Sequence, residues 1–112
     1  MEVQPDPDGL KRLFVEAPEY DAQFEVWGNC PIQALGTVGG RDLFFHARHD
    51  GWFFDVADHA GNLPSDGFMD SDGFYREGEY DYAGWMPHQE AVGIIERCLR
   101  EYTGNRAPRD RG

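Results

Sequence analysis

Positive charge is scarce in this chain: 10 Lys and Arg stand against 21 Asp and Glu over 112 residues, for a formal net charge of −11. A surface so short of cations cannot neutralise a phosphate backbone or an anionic bilayer, so neither direct nucleic-acid binding nor membrane association is expected. Cysteine is nearly absent as well. Cys30 and Cys98 form no CxxC pair and no Cys/His cluster, which argues against a disulfide framework and a zinc centre. Both are read as buried free thiols of a reducing compartment. No segment approaches the ~20 consecutive apolar residues of a membrane span. Met1 to Asp8 has neither the basic start nor the apolar run of a secretory signal. A cytoplasmic location is the resulting expectation. Internal repeats and low-complexity tracts are also missing.

What the chain does carry is aromatic mass. Its 8 Phe and 3 Trp supply large apolar surfaces, and a chain of 112 residues is long enough for one domain with a real core. We expect a single α+β domain over residues 1–104 and a flexible basic tail over 105–112, where Arg106, Arg109 and Arg111 surround Pro108.

The clearest pattern lies in residues 31–57. Ile32–Val38 and Arg41–Arg48 alternate apolar and polar residues, the period of a strand, and Trp52–Val56 continues it. Gly39-Gly40 and Asp50-Gly51 separate these runs and suit two-residue hairpin turns that need positive φ. With both pairs as turns, Val38 faces Arg41 and His49 faces Trp52. One face then holds Ile32, Ala34, Val38, Leu43, Phe45, Ala47, Trp52, Phe54 and Val56 and is expected to be the core. The other mixes Gln33, Leu35, Thr37, Phe44, His46, Arg48, Phe53 and Asp55.

That register sets Gln33, His46 and Asp55 in one row across three strands, where opposed side chains lie ~5 Å apart. His46 with Asp55 would form an oriented dyad and Arg48 an anion holder. With Phe44 and Phe53, these residues make a candidate small-molecule site.

Elsewhere, Ala22–Trp27 alternates as a further strand, whereas Pro5–Ala17 predicts a short helix from Leu10, Leu13 and Phe14. A helix from Pro87 to Tyr102 is predicted from Ala91, Ile94, Ile95, Cys98, Leu99 and Tyr102, with Gly104 placed to end it. The expected architecture is α+β: an antiparallel sheet of three to five strands, with residues 31–57 central and this helix packed on one face.

Between Asp58 and Asp81 the chain is acidic, glycine-broken and rich in aromatics, with a short strand or hairpin expected around Gly78. Asp70, Asp72, Gly73 and Glu79 match the third, fifth, sixth and twelfth positions of a calcium-binding loop. Phe68 would occupy the first position, where it cannot ligate. His46, His49, His59 and His88 lack the spacing of a metal pair on a helix, and no nucleophile motif surrounds Ser65, Ser71 or Cys30. No metal and no cofactor are therefore expected.

Charge is uneven: residues 1–83 carry 17 acidic and 5 basic side chains, residues 84–112 only 4 and 5. The expected function is that of a small acidic, non-enzymatic domain engaging a basic protein partner, as inhibitors, immunity proteins and nucleic-acid mimics do. Its contacts would be Asp66, Asp70, Asp72, Glu77, Glu79 and Asp81, with Tyr75 and Tyr80 as aromatic anchors. The alternative is a ligand-binding domain or enzyme using Gln33, Phe44, His46, Arg48, Phe53 and Asp55.

Overall fold

The structure, a computed structural model, describes residues 1–6, 11–57 and 74–106, with side chains to residue 104. These residues form seven strands: β1 (Glu2–Pro5), β2 (Arg12–Ala17), β3 (Ala22–Trp27), β4 (Ile32–Val38), β5 (Arg41–Arg48), β6 (Gly51–Val56) and β7 (Phe74–Glu79). One helix follows, α1 (His88–Arg106). Each strand pairs antiparallel with the next in sequence order, so the sheet is a seven-stranded meander. The α+β architecture matches the sequence pattern. Its strand number exceeds the expected three to five.

The additional strands come partly from the N-terminal region, where the helix predicted over Pro5–Ala17 does not form. Leu13, Val15 and Ala17 instead alternate with Arg12, Phe14 and Glu16 along β2, which pairs with β3 from Arg12↔Trp27 to Ala17↔Ala22. A short 3-10 turn at Pro18–Tyr20, closed by Asp21 at φ 56, reverses the chain and makes that pairing local. Ladder hydrogen bonds and the burial of Val15 and Ala17 outweigh a weak helical preference already compromised by Gly9.

The β4–β5 hairpin has the expected register, with Val38 opposite Arg41 across Gly39 and Gly40 at φ 60 and 80. The β5–β6 hairpin does not. Its turn residues are His49 and Asp50, with His49 at φ 58, and Arg48 rather than His49 opposes the first residue of β6, Gly51. Residues 80–83 hold this turn: the amide of Tyr80 donates to the Asp50 carbonyl at 3.0 Å and that of Ala83 to the His49 carbonyl at 2.6 Å. The pairing moves by two residues, so every side chain keeps its face.

The inner face is the core. Val15, Val26, Ile32, Leu43, Phe45, Phe54 and Val56 are almost fully buried there, against Ile95 and Leu99 of α1. Each large side chain so buried is worth about 1.5–3 kcal/mol of transfer free energy. The predicted helical stripe is buried throughout, from Ala91 to Tyr102, and Val92 joins it. The Pro87 carbonyl accepts from the amides of Glu90 and Ala91, so helical bonding starts at the predicted proline. At the other end the helix passes Gly104 and continues to Arg106, two residues into the predicted tail. The remainder of that tail lies outside the described residues.

Polar contacts fasten the helix along its length. The imidazole of His88 donates from Nε2 to the Gly28 carbonyl at 2.8 Å, Tyr20 donates its hydroxyl to Glu96, and Arg76 Nε donates to Glu101 at 2.6 Å. α1 covers the inner side of the sheet, and the residues of the other face are the candidates for contact. No helix among the described residues is long and apolar enough to cross a membrane.

Candidate functional site

The register assigns the outer face residue by residue. Glu2 and Gln4 stand on it from β1, Arg12, Phe14 and Glu16 from β2, and Gln23, Glu25 and Trp27 from β3. Gln33, Leu35 and Thr37 follow on β4, and Asp42, Phe44, His46 and Arg48 on β5. Gly51, Phe53 and Asp55 on β6 and Tyr75, Glu77 and Glu79 on β7 complete it. Carboxylates thus outnumber the two guanidiniums, and Arg12 is already paired with Asp6 at 2.8 Å and Glu25 at 3.5 Å.

Among the described residues, concavities interrupt this face, and two of them bear on the site. One, of about 320 Å³, lies over β2–β4 between Phe14, Glu16, Gln23, Glu25, Leu35 and Thr37. The other, of about 400 Å³, lies over β5–β7 and is lined by His46, Arg48, His49, Phe53 and Glu77, with backbone contributed by Gly51 and Gly78. Gly51 leaves a gap in the row that runs from Arg48 to Glu79, and this gap opens the second cleft.

Around the second cleft the rings form a chain of contacts. Phe44 meets His46 edge-on with centroids 5.8 Å apart, His46 meets Phe53 at 5.3 Å, and Phe53 meets Tyr75 at 6.1 Å. Burial lowers the pKa of His46, and the Arg48 guanidinium lowers it further, so the ring is neutral near pH 7. Its Nε2 is buried without a hydrogen-bond partner among the described residues. A buried imidazole nitrogen in that condition either costs desolvation energy or awaits a ligand group. Tyr75 donates its hydroxyl to Glu77 Oε1 at 2.9 Å, and burial together with that bond pushes its pKa up to about 12.

The predicted small-molecule residues all share this face. His46, Arg48 and Phe53 line the cleft, Gln33 stands opposite His46, and Phe44 and Asp55 face each other one pair away. The row that was to join His46 to Asp55 is not formed. His46 opposes Phe53, which places Asp55 on the diagonal, ~7 Å away by sheet geometry. The two-residue shift of the β5–β6 turn is the cause.

Of the predicted partner contacts, Glu77 and Glu79 are exposed on the outer face and Asp81 is exposed just beyond β7. Tyr75 is half-buried on the same face, while Tyr80 packs against the core with its hydroxyl donating to Glu90 at 3.4 Å. Asp66, Asp70 and Asp72 lie outside the described residues, as do most of the calcium-loop pattern and His59. Among the described residues, no three His, Cys, Asp or Glu side chains converge on a point that would hold a metal.

Cys98 is buried and its thiol is pushed up to about 12, chiefly by desolvation. Cys30, expected to be buried, is exposed on the β3–β4 connection, where Gly28 at φ 91 and Cys30 at φ 41 turn the chain outward.

Sequence reasoning missed Tyr82 and Trp85, which are 76% and 63% exposed at the chain reversal between β7 and α1. No local pattern marks them as exposed, and the tertiary hydrogen bonds of that turn decide their position. Compared with family models, curated proteins and solved structures, the chain matches none. The class is therefore structural: among the described residues, a seven-stranded antiparallel meander with α1 on one face and an acidic, aromatic-laced surface on the other.

Proposed function

We propose that this chain is a non-enzymatic binding domain that engages a basic protein partner through the open face of its sheet. The observation that carries the reading is the alternation on that face of carboxylates, Glu16, Glu25, Glu77 and Glu79, with aromatic surfaces, Phe14, Trp27, Phe53 and Tyr75. Carboxylates steer a cationic partner and select against anionic ones, while rings on rigid strands supply contact area at low entropic cost. Strand geometry fixes both sets, so little ordering is needed on binding.

The test is a titration of the isotope-labelled protein with hexaarginine, followed by amide shifts at low and raised salt. Shifts should concentrate on β2, β3, β6 and β7 and shrink as screening increases. Substituting Glu16, Glu25, Glu77 and Glu79 together by Gln should abolish them. Shifts centred on the exposed side of α1, or unchanged in the quadruple variant, would sink the proposal.

One observation favours a second reading, a small-molecule site in the β5–β7 cleft: the Nε2 of His46, unpartnered among the described residues, beside Arg48 and Phe53. The cleft volume falls in the ~300–1,000 Å³ range of ligand sites. A thermal-shift screen of small anions and zwitterions discriminates, because a ligand of the folded state raises the melting temperature. A rise lost in His46→Phe and Arg48→Ala would favour this reading over the first.

A further inference from the structure

Tyr82 and Trp85 are the most exposed large apolar side chains among the described residues. Their exposure is not that of a loose loop. The amide of Tyr82 donates to Asp50 Oδ1 at 3.3 Å, that of Ala83 to the His49 carbonyl at 2.6 Å, and that of Trp85 to the Tyr82 carbonyl at 2.8 Å. The Cys30 amide donates to the Gly84 carbonyl at 2.6 Å. Ala83 and Met86 point into the core and are buried. Gly84 is wedged so closely that a Cβ there would meet Cys30 Cα at 2.7 Å and Arg48 Cα at 3.2 Å.

Tyr82 itself sits at φ 56, in the left-handed region that a bulky side chain disfavours. A fold that holds a strained tyrosine and a tryptophan out in water forgoes both backbone energy and ring burial. Such strain is concentrated where function demands a fixed presentation. Exposed acidic residues adjoin the turn: Asp50 accepts from the Tyr82 amide, and Asp81 and Glu79 immediately precede it in the chain. Arg48, whose Cα lies beside Gly84, is a cation near the turn.

We infer that the Tyr82–Trp85 turn is the anchor that captures an arginine or lysine side chain of the basic partner, the cation resting on the aromatic rings and neutralised by Asp50 and Asp81. This rests on the reading of the acidic face given above and adds the place where contact is strongest. Cation–ring attraction and a nearby carboxylate are mutually reinforcing for guanidinium and ammonium groups, and Trp and Tyr are the side chains that dominate interface energetics. A rigid turn contributes them without an ordering cost.

The experiment measures binding of fluorescein-labelled hexaarginine by anisotropy, with hexaglutamate as control, to the full chain and to Tyr82→Gly and Trp85→Ala. Each variant is expected to lose about tenfold in affinity or more while keeping a cooperative melt, since both side chains are exposed and glycine relieves the positive φ. In the unmodified chain, the indole N–H of Trp85 should shift on titration more than that of Trp52.

Wild-type affinity in both variants, with a static Trp85 indole, would overturn the inference. The broader reading would still stand if the quadruple Gln variant of the sheet face lost binding in the same assay. Failure of the unmodified chain to bind hexaarginine would bring down both.

Discussion

His46 and Phe53 stand directly opposite each other on β5 and β6, with ring centroids 5.3 Å apart. The contact helps to bury part of the imidazole, and its pKa lies below the ordinary value, first through burial and then through Arg48. In the unfolded chain the same histidine titrates near 6.5. As pH falls through that value the unfolded state takes up a proton that the folded state refuses, so stability declines. The decline stops once pH passes below the folded-state pKa. Urea unfolding between about pH 7 and about pH 5 should show this slope, reduced in His46→Phe. An identical slope in the variant would remove His46 from the pH response.

Gly36 has no room for a side chain. A Cβ there would lie 2.0 Å from the Gln23 carbonyl oxygen and 2.5 Å from Phe24 Cα, both backbone atoms of the paired strand. Gly36→Ala is expected to cost about 3 kcal/mol or more, because β3 and β4 must separate to admit it. Gly93 is the contrasting case: it is helical and exposed, and a Cβ there meets nothing within 4 Å. Gly93→Ala should stabilise by about 0.5–1 kcal/mol through helix propensity. Denaturant midpoints of the two variants, moving in opposite directions, check the pair.

How far the sequence carries depends on which residues fix each element. Ala22–Trp27 and the stripe from Ala91 to Tyr102 are legible because a single period fits them. Leu10, Leu13 and Phe14 fit a helical spacing while Leu13, Val15 and Ala17 fit that of a strand, and only the neighbouring β3 decides between the two readings. The faces of β4–β6 survive an error in the turn because a shift of two residues preserves side-chain parity. The His46–Asp55 pairing does not survive it, since pair identity depends on register itself. The exposure of Tyr82 and Trp85 could not be read at all. It depends on Asp50 and His49, more than thirty residues away in the chain, accepting hydrogen bonds from that turn.

The two thiols should differ sharply in reactivity. Cys98 packs between α1 and the sheet, and its thiol is raised to about 12, so almost none is thiolate near pH 8. Cys30 is exposed. Iodoacetamide on the native protein should modify Cys30 alone, and Cys98 should react only after denaturant is added. Peptide mass analysis showing early modification of Cys98 would contradict the packing described for α1.

Glu2 and Glu16 are directly opposed across β1 and β2, both exposed. Like charges at opposed positions destabilise a strand pair, which a hydrogen bond from Gln4 to Glu2 at 3.2 Å offsets only in part. If the outer face is kept acidic for a cationic partner, relieving this repulsion should improve the fold and harm binding. Glu16→Lys is expected to raise stability by about 0.5 kcal/mol at low salt. That gain should fade as salt screens the pair over a Debye length of about 10 Å at 0.1 M. In the hexaarginine assay the same variant should bind more weakly, because the substitution turns attraction into repulsion at the rim of the β2–β4 concavity. A variant that is both more stable and an equal or better binder would separate the acidity of this strand pair from recognition, leaving Glu77 and Glu79 to account for the charge of the contact surface.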